Sequence, residues 1–374
     1  MKRLFTLLTV MGLAGLLTLA SFPVSESTTS AAQEGVTDDP TTTQTITLPA
    51  SGTITISGNI ASRGGTVIFV GEDSFEKVLN LVVNQPTVAA FDLNWPNRST
   101  DLDMILWQVP AGGDPTLVSD AEAVNAAASP LGPAAFPEKI GPNVLLPGRY
   151  VLGITNFECD TCGANSTPID GPPSAYTLTI KTGGTDPIEV NVDNGLLAIL
   201  RFRTGLGRTY VNRFSLGQQL ALSGPRQVTI TAARVNLFNP STFGVARPDI
   251  PGQSVRFLAF TAPAGTTTPP DNPTLVFDRN LTVPGADGFL DFAINPPFVV
   301  DSNQELFFGY FMADPANNGM QFNIDTLGGS GRTRSFFAGG TGRSTPALSG
   351  WAPDEGTAAV PPGGNVMLRL IVSQ

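Results

Sequence analysis

Asp101 and Asp103, in the stretch STDLDMILW (residues 99–107), have a type and spacing that could do chemistry. Positions two apart on an extended strand share a face, so both carboxylates project together with Leu102 and Met104 behind them. Paired carboxylates can hydrolyse a glycosidic bond as general acid and as nucleophile or base. That work needs about 5–9.5 Å between them across a cleft, in unlike environments. A hard cation suits adjacent acids better, because the roughly 6–8 oxygens around Ca²⁺ must converge. Asp92, Asn94 and backbone carbonyls could then add ligands. The plainest chemistry is bracing, with the loop 97–100 donating hydrogen bonds to the carboxylates. The expectation is loop bracing first, calcium at Asp101 and Asp103 second, and catalysis last.

Cys159 and Cys162 form a C-x-x-C in a Gly-, Asn- and Pro-rich segment. Two thiols with no histidine and no further cysteine cannot complete a zinc site. In an oxidising compartment the default is a local disulfide, which over so short a loop contributes about 2 kcal/mol. Arg332, Arg334 and Arg343 stand beside Phe336, Phe337 and Trp351. That composition suits a recognition surface, and equally a surface loop with buried anchors. In SNQELFFGYFMAD, Leu306, Phe308 and Tyr310 share one face and Phe307 and Phe311 the other, which predicts a central strand buried on both sides.

Composition narrows the classes. The 374 residues contain no histidine, which removes the Ser-His-Asp triad, the Cys-His pair and imidazole-bound zinc. The net charge of −10 disfavours nucleic acid, whose phosphates need clustered Lys and Arg. Gly 40 and Pro 32, with only 14% charged residues, describe a turn-rich chain surfaced by hydroxyls and amides.

Met1, Lys2 and Arg3 precede an apolar run ending in Thr18-Leu19-Ala20. This basic, apolar, small-residue order predicts a secretory signal over 1–20, and no membrane span after its cleavage. Residues 21–44 hold almost nothing to bury and read as a flexible linker. Residues 45–182 then alternate apolar and polar positions in seven or eight short runs, the pattern of a β-sandwich. A second such series occupies 183–374, and KTGGTD (181–186) reads as the connection. The expected fold is all-β, two antiparallel jelly-roll-like sandwiches in tandem.

The first series resembles the bacterial pre-peptidase C-terminal domain. DLDMILW matches its acidic lead into an apolar strand, FPEKIG its Glu-containing segment, LLPGRYVLGI its penultimate strand and AYTLTI its closing strand. The strand GGTVIFVG departs from the pattern by lacking an acid pair, and ECDTCGANSTPIDGPPS is inserted before the last strand. The resemblance implies a secreted, non-catalytic accessory module that accompanies a peptidase, some relatives of which bind collagen or calcium. The expected protein is secreted, extracellular or periplasmic, with no cofactor beyond Ca²⁺. Its expected role is binding, adhesion or surface scaffolding toward an extracellular protein or polysaccharide, with a partner peptidase. The competing class is a carboxylate-dependent hydrolase of glycosidase or acid-peptidase type. Edman sequencing of exported material should begin near Ser21; a chain beginning at Met1 would refute the signal.

Overall fold

Most of the described residues of the computed structural model lie in strands. The structure describes residues 44–60, 68–70, 73–75, 77–96, 100, 102–110, 122–127, 137–156, 173–184, 187–193, 197–203, 207–238, 252–285, 288–311, 321–325, 334–339, 345–353 and 366–374. In the first half the strands are β1 (Gln44–Thr47), β2 (Gly52–Ile60), β3 (Ile68–Val70), β4 (Asp73–Phe75), β5 (Lys77–Val83), β6 (Thr87–Asn94), β7 (Leu102–Val109), β8 (Glu122–Ala127), β9 (Glu138–Leu145), β10 (Gly148–Asn156) and β11 (Ser174–Thr182). They form a five-stranded sheet, β1-β5-β10-β7-β8, a four-stranded sheet, β2-β11-β6-β9, and the β3-β4 pair. Leu79, Leu81, Leu102, Met104, Leu106, Leu152 and Ile154 from the first sheet meet Phe91, Leu93, Leu178 and Ile180 from the second in one apolar cluster. Strand β8 lies within the Pro- and Ala-rich stretch 110–137, which composition alone reads as a connection. Its pairing with β7 makes it a strand despite a residue set with little intrinsic β preference.

In the second half the elements are β12 (Ile188–Val190), β13 (Leu197–Arg203), β14 (Arg208–Phe214), α1 (Leu216–Gln219), β15 (Gln227–Phe238), β16 (Ser254–Pro263), β17 (Leu275–Thr282), β18 (Gly288–Asp301), β19 (Gln304–Phe311), β20 (Gln321–Asp325), β21 (Ser335–Gly339), β22 (Ala352–Pro353) and β23 (Leu368–Ser373). One sheet runs β12-β23-β15-β20-β13 with β18 on the other side of β15, and its mate runs β17-β16-β19-β14-β21-β22. Val228, Ile230, Val235, Phe292 and Leu370 face Phe257, Phe308 and Tyr310 across a second core. Strand β19 is buried on both sides, as its pattern predicts. Leu306, Phe308 and Tyr310 enter this core. Phe307 and Phe311 join Phe260 and Phe336 on the opposite face, beneath Trp351 and Leu348. That cover is fastened by the Trp351 indole N–H to the Pro270 carbonyl at 3.0 Å and by the Asn272 amide to the Leu348 carbonyl.

The turn between β9 and β10 is closed by a tyrosine. Tyr150, buried, donates its hydroxyl to the Leu146 carbonyl at 2.9 Å, a corner that ties one strand end to the chain just before it. Burial pushes this phenol from 10.0 up to about 12. The folded protein therefore holds the proton to higher pH than the unfolded chain. The resulting stabilisation is complete below about pH 10 and is lost as pH rises toward 12, up to roughly 2–3 kcal/mol. Urea denaturation between pH 9 and 12 should show this alkaline slope, and Tyr150→Phe should flatten it.

Candidate functional site

Asp103 is buried on β7, facing away from the core that Leu102 and Met104 enter; Asp101 lies outside the described residues. Asp92 and Asn94 cannot join Asp103 around an ion. They sit on β6, in the opposite sheet, facing outward from the other side of the sandwich, where Asp92 meets Asn94 at 2.6 Å and Lys139 at 3.6 Å. Asp92 and Asn94 are thus not placed to add ligands beside Asp103. Among the described residues no group of three or more acidic, Cys or His side chains could hold an ion. The segment leading into β7 is braced instead by the Trp95 indole, whose N–H donates to the Thr100 carbonyl at 2.6 Å.

Cys159 and Cys162 lie outside the described residues, as do Arg332 and Arg343. Phe336 is buried and Trp351 packs against the same cluster, 5.7 Å from the Phe260 ring centre, so these two aromatics are anchors and not an exposed platform. Phe337 stacks instead under the Arg208 guanidinium, 5.2 Å from the ring centre. All four tyrosines and two of the three tryptophans, Trp95 and Trp107, are buried, which leaves them unable to line a sugar cleft.

The densest charge cluster among the described residues was not singled out by spacing. Arg369 on β23 stands directly opposite Arg234 on β15, which stands opposite Asp291 on β18. Like charges opposed across strands repel. Glu189 on β12 resolves this by bridging them, one oxygen to Arg369 Nη1 at 2.8 Å and the other to Arg234 Nη1 at 2.6 Å. Asp193 takes the other side of Arg369 through Nε at 3.1 Å and Nη2 at 2.6 Å. Asp291 grips Arg234 through Nε and Nη2 at 2.6 and 2.9 Å. The Arg369 guanidinium also lies 4.2 Å over the Phe289 ring, a favourable cation–π contact. Burial by itself would lower the basicity of Arg369, but the charges of Asp193 and Glu189 outweigh it and leave it above its ordinary value. Hydrogen bonding to Asp291 raises Arg234 likewise, against its own desolvation. The arrangement is a clasp on the outer face of the sheet that fixes β12 beside β23.

The clasp continues into the first half of the chain. Asn143 of β9 donates Nδ2 to the Glu189 carbonyl at 2.8 Å, and Gln219 donates to the Asn191 carbonyl at 2.8 Å. Val88 and Val144, paired across β6 and β9, pack against the second core. Two glycines permit this approach. Gly141, at φ 82°, makes the register shift in β9; a Cβ there would come within 2.6 Å of the Ala89 carbonyl oxygen. Such a bulge re-aims the side chains that follow it, here Asn143. Gly183, at φ 78°, would bring a Cβ within 2.6 Å of the Ser51 Cβ, and its amide donates to the Val88 carbonyl. The KTGGTD connection is therefore bonded to the first half: Lys181 and Thr182 complete β11, and Gly183 is tied to β6.

The clasp did leave a trace in the sequence. In a chain only 14% charged, Glu189 in PIEVNVD and Arg369 in LRLIV are single charges inside apolar strands, a pattern that requires a partner.

No family model matches the chain, and no curated protein matches it. Among solved structures, a presumed secreted protein from Parabacteroides distasonis aligns over 74% of this chain and 88% of its own, at 10% identity and a TM-score of 0.18. A likeness at that level carries no argument about this chain. Removing one partner of a buried ion pair leaves the other charges uncompensated and costs about 3–5 kcal/mol. Arg369→Met should therefore lower stability by about that much in urea denaturation. Asp291→Asn, at a half-exposed pair, should cost about 1 kcal/mol or less.

Proposed function

We propose that the chain is an exported, non-catalytic β-sandwich protein, an accessory module for binding, adhesion or surface scaffolding, whose sheet pairs are tandem domains held at a fixed angle. Its first half is read as a pre-peptidase C-terminal-like domain, placed beside a peptidase or carried by the same surface, and its ligand as an extracellular protein or polysaccharide. The observation that carries this reading is the clasp with its joint. The most concentrated ionic chemistry among the described residues is spent on fixing the segment between the two sheet pairs.

Further support comes from the engagement of other carboxylates. Glu305 accepts from the Ser215 hydroxyl at 2.6 Å and from the Gly265 amide at 3.1 Å, and Asp278 is gripped by Arg256 through two bonds of 2.7 Å. Loops at the ends of such sandwiches are the parts free to carry recognition. Export rests on the N-terminal sequence. No described helix is long and apolar enough to cross a membrane.

A fixed joint has a direct readout. Spin labels on cysteines introduced at Thr179 and Val299, with Cys159 and Cys162 replaced by Ser, should report one narrow distance distribution. Asn143→Ala combined with Val144→Asp should broaden it. A broad distribution in the parent protein would overturn the scaffold reading, and turnover of any member of a glycan and peptide substrate panel would favour the hydrolase class.

A further inference from the structure

Exposed sheet edges offer unpaired N–H and C=O groups to any passing strand, and proteins ordinarily blunt them with brevity, bulges, proline or charge. The edges among the described strands follow this rule with one exception. Strands β1, β3, β4, β12 and β22 have four residues or fewer. Strands β8 and β13 break register against their neighbours. Strand β9 has a bulge together with Pro142, Glu138 and Lys139. Strand β17 combines a register shift with Asp278 and Arg279, and β18 has Pro296, Pro297 and a shift.

Strand β2, GTITISGNI, has none of these devices. It is nine residues long, carries no charge and no proline, and pairs with β11 in unbroken register over all nine positions. No described strand pairs with its other side. Thr53, Thr55 and Ser57 are exposed on the outer face, and Ile54 is only partly buried against the first core. Every second residue of such a strand turns its backbone groups outward.

We propose that β2 is a self-docking edge that pairs antiparallel with β2 of a second copy of this chain about a two-fold axis at Thr55. This goes beyond the accessory reading above and does not depend on it. The sequence is self-complementary in that register. Thr55 faces its own copy, Ile54 faces Ile56, Thr53 faces Ser57, and Gly52 faces Gly58. Residues of the same parity meet, so apolar side chains stay on the core face and hydroxyls on the outer face. The partly covered Ile54 of each copy is covered by Ile56 of the other. Each chain carries a net charge of −10, yet this edge brings no like charges into contact. A foreign strand would find no charged side chain here to select it, whereas a second copy supplies the matching pattern. The interface is isologous and closes at two copies.

Sedimentation equilibrium of the full chain from about 5 µM to about 1 mM should show a reversible monomer–dimer equilibrium. Thr55→Lys, which sets two cations against each other on the axis, should weaken it at least tenfold with the circular dichroism and melting temperature of the monomer unchanged. Thr179→Lys, on the neighbouring strand of the same face, should leave association as it was. Thr55→Cys should cross-link copies under mild oxidation, and Ser57→Cys should not. A parent chain that stays monomeric throughout would overturn the proposal. So would a Thr55→Lys dimer as tight as the parent, or equal cross-linking at both positions.

Discussion

Two arginines face each other across a pair of strands, and much of the second half of the chain is arranged around that fact. Arg369 and Arg234 occupy opposed positions on β23 and β15, where repulsion and desolvation would both work against folding. Three carboxylates compensate them, and Glu189 does so from a strand of only three residues. Strand β12 has little area of its own to hold it in place. Ile188 and Val190 enter the core, but the ionic contacts fix which way the strand lies and where the chain goes next. A buried ion pair is weak evidence for net stability, since an apolar replacement of equal volume is often as good. Its value here is positional. The carboxylates must come to the guanidinium groups, so the segment after the first sheet pair has one permitted course.

The same segment receives the first half of the chain. Asn143 reaches the Glu189 carbonyl, and Val88 and Val144 lie against the second core. Those contacts exist because β9 bulges at Gly141 and because Gly183 takes a left-handed conformation beside Ser51. The described residues accordingly fall within one compact unit. A second buried polar set ties the sheets of the second half to each other. Asn212 of β14 donates to the carbonyls of Val366 and Leu368 at 2.8 and 3.2 Å and accepts from the Ser335 hydroxyl, which in turn accepts from the Val366 amide at 2.9 Å. Every member is satisfied, which is the condition under which a buried polar network rigidifies a core.

Much of this was legible in the sequence where the signal was local. The all-β architecture follows from period-two alternation, and the two-faced burial of β19 follows from the parity of Leu306, Phe307, Phe308, Tyr310 and Phe311. What the sequence did not reveal depended on long-range placement. Asp92 and Asp103 are eleven positions apart and look like partners, but β6 and β7 belong to opposite sheets. Asp193 and Arg369 are 176 positions apart and meet only through the pairing of β12 with β23. The Arg and aromatic residues around 336 read equally well as surface or anchor. Only the burial of Phe336 among Val211, Phe260 and Phe307 decides that it is an anchor.

The central claim is that the clasp makes β12 part of the cooperative core and not a strap laid on its edge. Native-state amide hydrogen exchange tests this most directly, by comparing Glu189 and Val190 with Leu370 in the centre of β23 as denaturant is raised. If the clasp holds, all three amides exchange through the same global opening and their free energies of exchange converge on one denaturant dependence. Exchange of Glu189 and Val190 through a separate opening of low free energy, insensitive to denaturant while Leu370 stays protected, would contradict the account.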